Sequence, residues 1–193
     1  MWQDTSGASR VGERKQGRGK DEINHGSNHL SIQKKKGGQV MTTIGLDLAL
    51  TTGYAIGVDG KVFESGVIDW RTFRKGGHNG YVFLALWGWL RAHLPNDDSL
   101  QLVFEVAHHR GGPATRLGIG WQTTVLHFAA RYNLPDPLGV PTMTLKKFAT
   151  GSGKAGKNNM IAYARNIIGR VPVDDNEADA VAVCMWGMDK KEK

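Results

Sequence analysis

Residues 43–58 read TIGLDLALTTGYAIGV. Apolar residues alternate along the first half, a Thr-Gly turn interrupts, and a second apolar run follows. That is the pattern of two neighbouring β-strands. Successive strand side chains point to opposite faces, so Ile44, Leu46 and Leu48 share one face and Gly45, Asp47 and Ala49 the other. A carboxylate therefore stands at the centre of an apolar strand, flanked on its own face by two of the smallest side chains. An unpaired buried carboxylate costs several kcal/mol, so Asp47 calls for a hydrogen-bonding partner or a cation.

Outward from this stretch, a third strand is expected over 61–69, completing an antiparallel meander of three strands joined by tight turns. The pattern then predicts a helix over 79–94, a strand over 100–106, a helix over 114–132, a short strand over 138–143, and helices over 157–168 and 175–188. Strands that alternate with helices add to a sheet in parallel. The expected architecture is α/β, a mixed five-stranded sheet with helices on both faces. Within 79–94, Val82, Leu86, Trp89 and Leu90 recur at helical spacing, which assigns the tryptophans there to the core.

The bulk composition narrows the function. The 193 residues carry a formal charge of +7 and a pI near 9.6, which suits a polyanionic partner such as nucleic acid, although many proteins are basic without one. The single cysteine, Cys184, excludes internal disulfides and thiolate zinc clusters and points to a reducing compartment. It lies in an apolar helical run and reads as a small core residue. No apolar run approaches the roughly 20 residues of a membrane span, and no secretory segment follows the N-terminus, so a cytoplasmic protein is expected. Residues 1–40 differ in kind: eight Lys or Arg against four acids, no aromatic after Trp2, and no sustained periodicity. They are expected to be a disordered basic extension, ahead of one folded domain over 41–193. Such an extension is either an arm that tracks phosphates or a leader from an upstream start, since Met41 opens the folded pattern directly.

Two further acids repeat the puzzle of Asp47. In LQLVFEVAHHRGG (100–112), Glu105 sits near the end of an apolar strand, before a Gly-rich loop. In VPVDDNEADAVAVCMW (171–186), Asp174 and Glu177 form a D-x-x-E capping box, which assigns both to the helix start. Asp175, Asn176 and Asp179 then share one helix face above an apolar run. No cation is adjacent in sequence to Asp47 or Glu105. One such acid alone reads equally well as a satisfied core group; three on separate buried elements point to a shared cation. Oxygen donors without a Cys or His set favour Mg²⁺ or Mn²⁺. Two such ions, roughly 4 Å apart, suit phosphodiester hydrolysis. In that reading Gly45 and Ala49 leave room for metal and phosphate beside Asp47.

Taken together, these motifs resemble the RuvC family of Holliday-junction resolvases, within the RNase H-like superfamily. IGLDLALTTGYAI (44–56) resembles its first-strand motif, LVFEVAHH (102–109) its Glu-bearing strand, TLKKFATGSGKAGKNNM (144–160) its Lys- and Gly-rich segment, and NEADAVAV (176–183) its terminal D-x-x-D motif. The match spans residues 42 to 188 in order, and the short length and small variations suggest a phage-type member. The resemblance implies an RNase H-like fold and a Mg²⁺-dependent crossover junction endodeoxyribonuclease with Asp47, Glu105 and Asp179 as catalytic acids. The family's fourth acid falls on Asn176, a departure; Asn176 still offers a carbonyl oxygen, and Asp175 is the neighbouring substitute. Lys146 and Lys157 match basic residues near the scissile phosphate, and Lys147 and Lys154 would hold backbone phosphates. In the loop after Glu105, His108 falls where resolvases often carry a stacking aromatic, and Arg110 lies beside it as a further DNA contact. Symmetric cutting of a two-fold branched DNA implies a homodimer, with helix 114–132 and its Gly118 and Gly120 as the candidate interface. A nuclease for structured RNA and a non-cleaving junction binder remain alternatives.

Two other likenesses carry less. GSGKAGKN (151–158) nearly matches a phosphate loop, but Asn158 lacks the hydroxyl that would hold Mg²⁺ and no strong apolar strand precedes it. IGLDLALTTG also resembles the phosphate loop of actin-like ATPases, which need two related domains and more chain than this.

Overall fold

A computed structural model describes residues 41–95, 99–106 and 112–191. The proposed extension 1–40 and the loop residues His108 and Arg110 lie outside the described residues. Five strands, β1 (Thr42–Asp47), β2 (Thr51–Val58), β3 (Lys61–Asp69), β4 (Leu100–Val106) and β5 (Leu138–Pro141), form one sheet in the order β3-β2-β1-β4-β5. β1, β2 and β3 pair antiparallel, while β4 joins β1 and β5 joins β4 in parallel. The meander and the parallel additions are as the alternation implies. Asp59 and Gly60, both at positive φ, make the two-residue turn between β2 and β3.

Helices α1 (Gly80–Ala92) and α2 (Pro113–Arg131) cover one face of the sheet. Ile44, Leu46, Leu102 and Phe104 from that face pack with Val82, Leu86, Leu90, Trp121, Val125 and Phe128. The region between β3 and α1 forms two short 3₁₀ turns, Trp70–Phe73 and Lys75–Gly77, instead of a plain loop. Gly120 of α2 faces Phe83 of α1: a Cβ there would lie 2.4 Å from the Phe83 ring. Its small size thus serves packing inside the domain.

The other face is covered by α5 (Asp175–Lys191), with α3 (Thr142–Thr150) and α4 (Lys157–Ile168) beside it. Here the small residues of the opening stretch find their use. A Cβ on Gly45 would lie 2.3 Å from the Cys184 amide nitrogen, and one on Gly53 would lie 1.9 Å from the Asn176 carbonyl oxygen. Both glycines let the backbone of α5 lie directly on β1 and β2. Gly45 therefore does not hold open a metal space beside Asp47; the helix fills it. Ala49 is part of the turn, where the Thr52 hydroxyl bonds its amide and carbonyl. Cys184, on the face of α5 turned to β1, is buried, as expected. The strand expected over 138–143 ends at Pro141, whose ring fixes φ and which lacks an amide donor, and Thr142 instead starts α3.

Candidate active site

Asp47 ends β1, and Glu105 lies one residue from the end of the parallel neighbour β4. The register pairs Gly45 with Val103 and Leu46 with Phe104, so Asp47 and Glu105 emerge at the same end of adjacent strands, on the face α5 covers. Gly53 stands opposite Asp47 in the β1–β2 register. Because Gly53 has no side chain, the first turn of α5 settles at this end of the sheet, and Asp179 follows one turn along the helix. Three separate elements thus bring the three sequence-predicted acids within electrostatic reach of one another.

The charges act on one another there. Burial pushes the Asp47 carboxyl well above the usual carboxylate range, and the charges of Glu105, Asp179, Asp175 and Asp174 push it further. Asp179 is pushed up to about 7, first by burial and then by Glu105, with Lys146 and Lys157 partly offsetting the rise. The Thr142 hydroxyl donates to Glu105 Oε1 and so orients that carboxylate. Among the described residues no three or more His, Cys, Asp or Glu side chains stand close enough to hold an ion as placed. The donor set nonetheless suits a hard divalent cation, because half-buried carboxylates that repel one another lower their energy when a cation comes between them.

The remaining candidates divide. Lys157 forms a 2.9 Å ion pair with Asp175, and that hydrogen bond holds the Asp175 carboxyl below its usual range. Asn176 donates its side-chain amide to Asp174 at 2.9 Å. Both possible fourth ligands are thus engaged at the start of α5, Asp175 with a cation and Asn176 with the helix cap. Lys146 faces Asp179, whereas Lys147 and Lys154 line a separate groove with Met143, Thr144 and Ser152.

One buried acid had its role misassigned by the capping pattern. Asp174 does cap α5, accepting from the Glu177 amide at 3.0 Å. Glu177 does not return the bond. Its carboxylate is fully buried and accepts from Arg170, from the Ser65 hydroxyl at 2.6 Å and from the Val173 amide at 2.6 Å. The D-x-x-E spacing hid this, and only Arg170, seven residues upstream, gave a signal of an ionic partner.

Comparison with known proteins gives a consistent likeness. No protein-family model matches the chain. The crossover junction endodeoxyribonucleases RuvC of Anaeromyxobacter dehalogenans (strain 2CP-C) and of Anaeromyxobacter sp. (strain K) are each 32% identical over 125 residues. Those alignments cover 64% of this chain and 65% of each relative, so the chain matches just under two thirds of their length. Among solved structures, Thermus thermophilus RuvC superposes with a TM-score of 0.64 at 16% identity, over 79% of this chain and 96% of that one. The same protein in complex with Holliday junction substrate gives 0.59 at 16% identity over the same shares. The yeast mitochondrial Holliday junction resolvase gives 0.53 at 14% identity, over 76% of this chain and 78% of that one. In sequence and in fold, the chain is RuvC-like, with the RNase H-like architecture of those structures.

Proposed function

We propose that this chain is a structure-selective endonuclease that cleaves Holliday junctions or other branched DNA by metal-dependent phosphodiester hydrolysis. The convergence of Asp47, Glu105 and Asp179 at one end of the sheet carries the reading. The names of the curated relatives and the junction-bound structural neighbour support it. In this reading Asp47, Glu105 and Asp179 hold Mg²⁺, or Mn²⁺, as two ions, with the carbonyl oxygen of Asn176 or the carboxylate of Asp175 as a fourth ligand. Such ions, when bound, stabilise charge on the attacking and leaving oxygens of the phosphodiester. Thr142 keeps the Glu105 carboxylate turned toward the site. Asp179, its carboxyl pushed up to about 7, would give up its proton on serving as a ligand. In the same reading Lys146 and Lys157 would take the phosphate next to the cut, and Lys147 and Lys154 the backbone farther out.

A two-fold junction cut symmetrically calls for a homodimer. The outer surface of α1 and α2 is the contact we favour: Leu84 is 67% exposed there, and Phe83, Leu84, Trp87 and His127 line an apolar groove of about 400 Å³. Among the described residues no helix is long and apolar enough to cross a membrane, and we take the enzyme to act in the cytoplasm. Labelled four-way DNA, duplex DNA and RNA hairpins, each incubated with and without Mg²⁺, test the function. Junction cutting that needs Mg²⁺ is expected. Preferential cutting of the hairpins would make it an RNA nuclease, and junction binding without cutting in Mg²⁺ or Mn²⁺ would make it a binder.

A further inference from the structure

Residues 71–79 are exposed without interruption and contain Arg71, Arg74, Lys75 and His78 but no acid. The segment is firmly anchored. The buried Trp70 donates Nε1 to the Thr52 hydroxyl at 2.7 Å, and its amide donates to the Leu50 carbonyl at 2.9 Å. Leu50 belongs to the turn that follows Asp47 and Thr52 to the start of β2, and the end of β3 pairs with the start of β2, Asp69 opposite Thr51. The segment therefore leaves the sheet at the end that carries Asp47 and Glu105, on the β3 side. Lys146, Lys147 and Lys154 belong to α3 and the loop after it, which follow β5 at the opposite edge, while Lys157 starts α4 and pairs with Asp175 of α5.

The cations of this segment are not equivalent. Arg71 is a brace: its Nε and one terminal nitrogen both bond the Asp69 carboxylate at 2.8 Å. Arg74 donates to the side-chain oxygen of Asn79, and Lys75 Nζ lies 6.0 Å from the centre of the Tyr81 ring. Among the described residues neither forms an ion pair with an acid. Beside them Phe73 and Tyr81 are 48% and 42% exposed. Two adjacent cations without acidic partners, set among half-exposed aromatic rings, complement a phosphate backbone with bases within reach.

We propose that Arg74 and Lys75 form a second backbone-phosphate contact, gripping nucleic acid where it leaves the carboxylate cluster on the β3 side. The proposal rests on the nuclease reading, because a substrate lying across this end of the sheet meets both basic edges. The anchored Trp70 and the Asp69–Arg71 brace hold the contact in place. Its role is binding, so it leaves the chemistry at the carboxylates untouched.

Fluorescence anisotropy without Mg²⁺, on labelled four-way DNA, duplex and single strand across a salt series, tests it with the full chain. Arg74→Ala combined with Lys75→Ala is expected to weaken junction binding on the order of tenfold. The log–log salt slope should fall by about 0.9 for each duplex phosphate that the variant no longer neutralises. Lys61→Ala, which removes an exposed charge at the far end of β2 and β3, is expected to leave affinity and slope in place. In Mg²⁺, cleavage by the double variant at saturating junction should match the wild type, with half-saturation at higher DNA concentration. An unchanged affinity and slope in the double variant, or an equal loss in Lys61→Ala, would overturn the proposal. A wild type that binds but does not cut sinks the nuclease reading alone, and the affinities still decide the contact. A wild type that binds none of the three DNAs sinks both.

Discussion

Two carboxylates two residues apart on α5 have opposite surroundings. Glu177 is fully buried, and burial alone would raise its pKa; hydrogen bonds from Arg170, Ser65 and the Val173 amide outweigh that and hold it below the usual range. Among the described residues Asp179 finds no such donors: burial first and then the charge of Glu105 push it up to about 7. The chemical group and the helix are the same; the difference lies in what β3 and the α4–α5 loop supply at one position and what β1 and β4 supply at the other. A buried acid given donors is part of the fold. A half-buried acid set among other acids is, in the proposed reading, the one left for a cation.

The contrast can be undone most forcefully at Arg170. Arg170→Ala leaves the Glu177 carboxylate buried without its charged partner, and removing one member of a buried pair typically costs about 3–5 kcal/mol. Denaturant unfolding should therefore show a large loss, set toward the lower end because Arg170 is itself half-exposed. A loss under about 1 kcal/mol would mean that Ser65 and Val173 suffice, and that Glu177 is not an ionic anchor.

Gly53→Ala attacks the close approach that brings the two environments together. The added methyl would overlap the Asn176 carbonyl, so the first turn of α5 must shift. Overpacking of this kind costs about 1–3 kcal/mol, and here it should also lower cleavage by moving Asp179 relative to Asp47. Full activity at unchanged stability would show that this packing is not what aligns the acids.

The two acids should also differ in their response to pH. A carboxyl raised from its ordinary value near 3.8 to about 7 keeps its proton in the folded state while the unfolded chain has lost it. Without metal, the contribution of Asp179 to stability should thus fall as pH rises from about 4 to about 7 and level off above. Added Mg²⁺ competes with that proton, so the rise in melting temperature it causes should grow from pH 5.5 to pH 8. In Asp179→Asn both trends should flatten. A Mg²⁺ effect independent of pH would place the ion elsewhere.

A more modest effect is expected at the lysines. Lys146→Ala or Lys157→Ala should weaken DNA binding and reduce the log–log salt slope by about 0.9 for each duplex phosphate left without its cation. Lys157→Ala also releases Asp175 from its ion pair, so it should cost more in cleavage than Lys147→Ala, which touches only the outer groove. Unchanged slopes for both would mean that these lysines only solvate the surface.

Much of this was legible in the residues, for physical reasons that differ by element. The apolar/polar alternation of β1 and β4 fixes the face that Asp47 and Glu105 take, while Asp179 is singled out from Asp175 and Asn176 on its helix face by the family resemblance. The cause of the small residues around Asp47 was not legible: Gly45 and Gly53 answer to the backbone of α5, more than 120 residues downstream, and local pattern cannot carry so distant a contact. α3 escaped because Pro141 and Thr142–Thr144 read as strand and loop, and only the burial of Leu145 against Met160 and Val183 makes the segment a helix. Glu177 escaped because its spacing to Asp174 satisfies a capping rule that its side chain does not obey.

The claim that one end of this sheet is built for a cation is tested most directly by neutralising one acid of each kind. Denaturant unfolding of Asp47→Asn and Glu177→Gln in metal-free buffer near pH 8, with junction cleavage in Mg²⁺, gives the comparison in a single pair of variants. Asp47→Asn should be as stable as the wild type or more so, should retain junction affinity, and should lose cleavage by orders of magnitude. Glu177→Gln should be less stable, with cleavage surviving wherever it remains folded. If instead Asp47→Asn loses about 1–3 kcal/mol, the range for an unmade buried hydrogen bond, and still cuts junctions, Asp47 is a core hydrogen-bonding group and the metal site is not here.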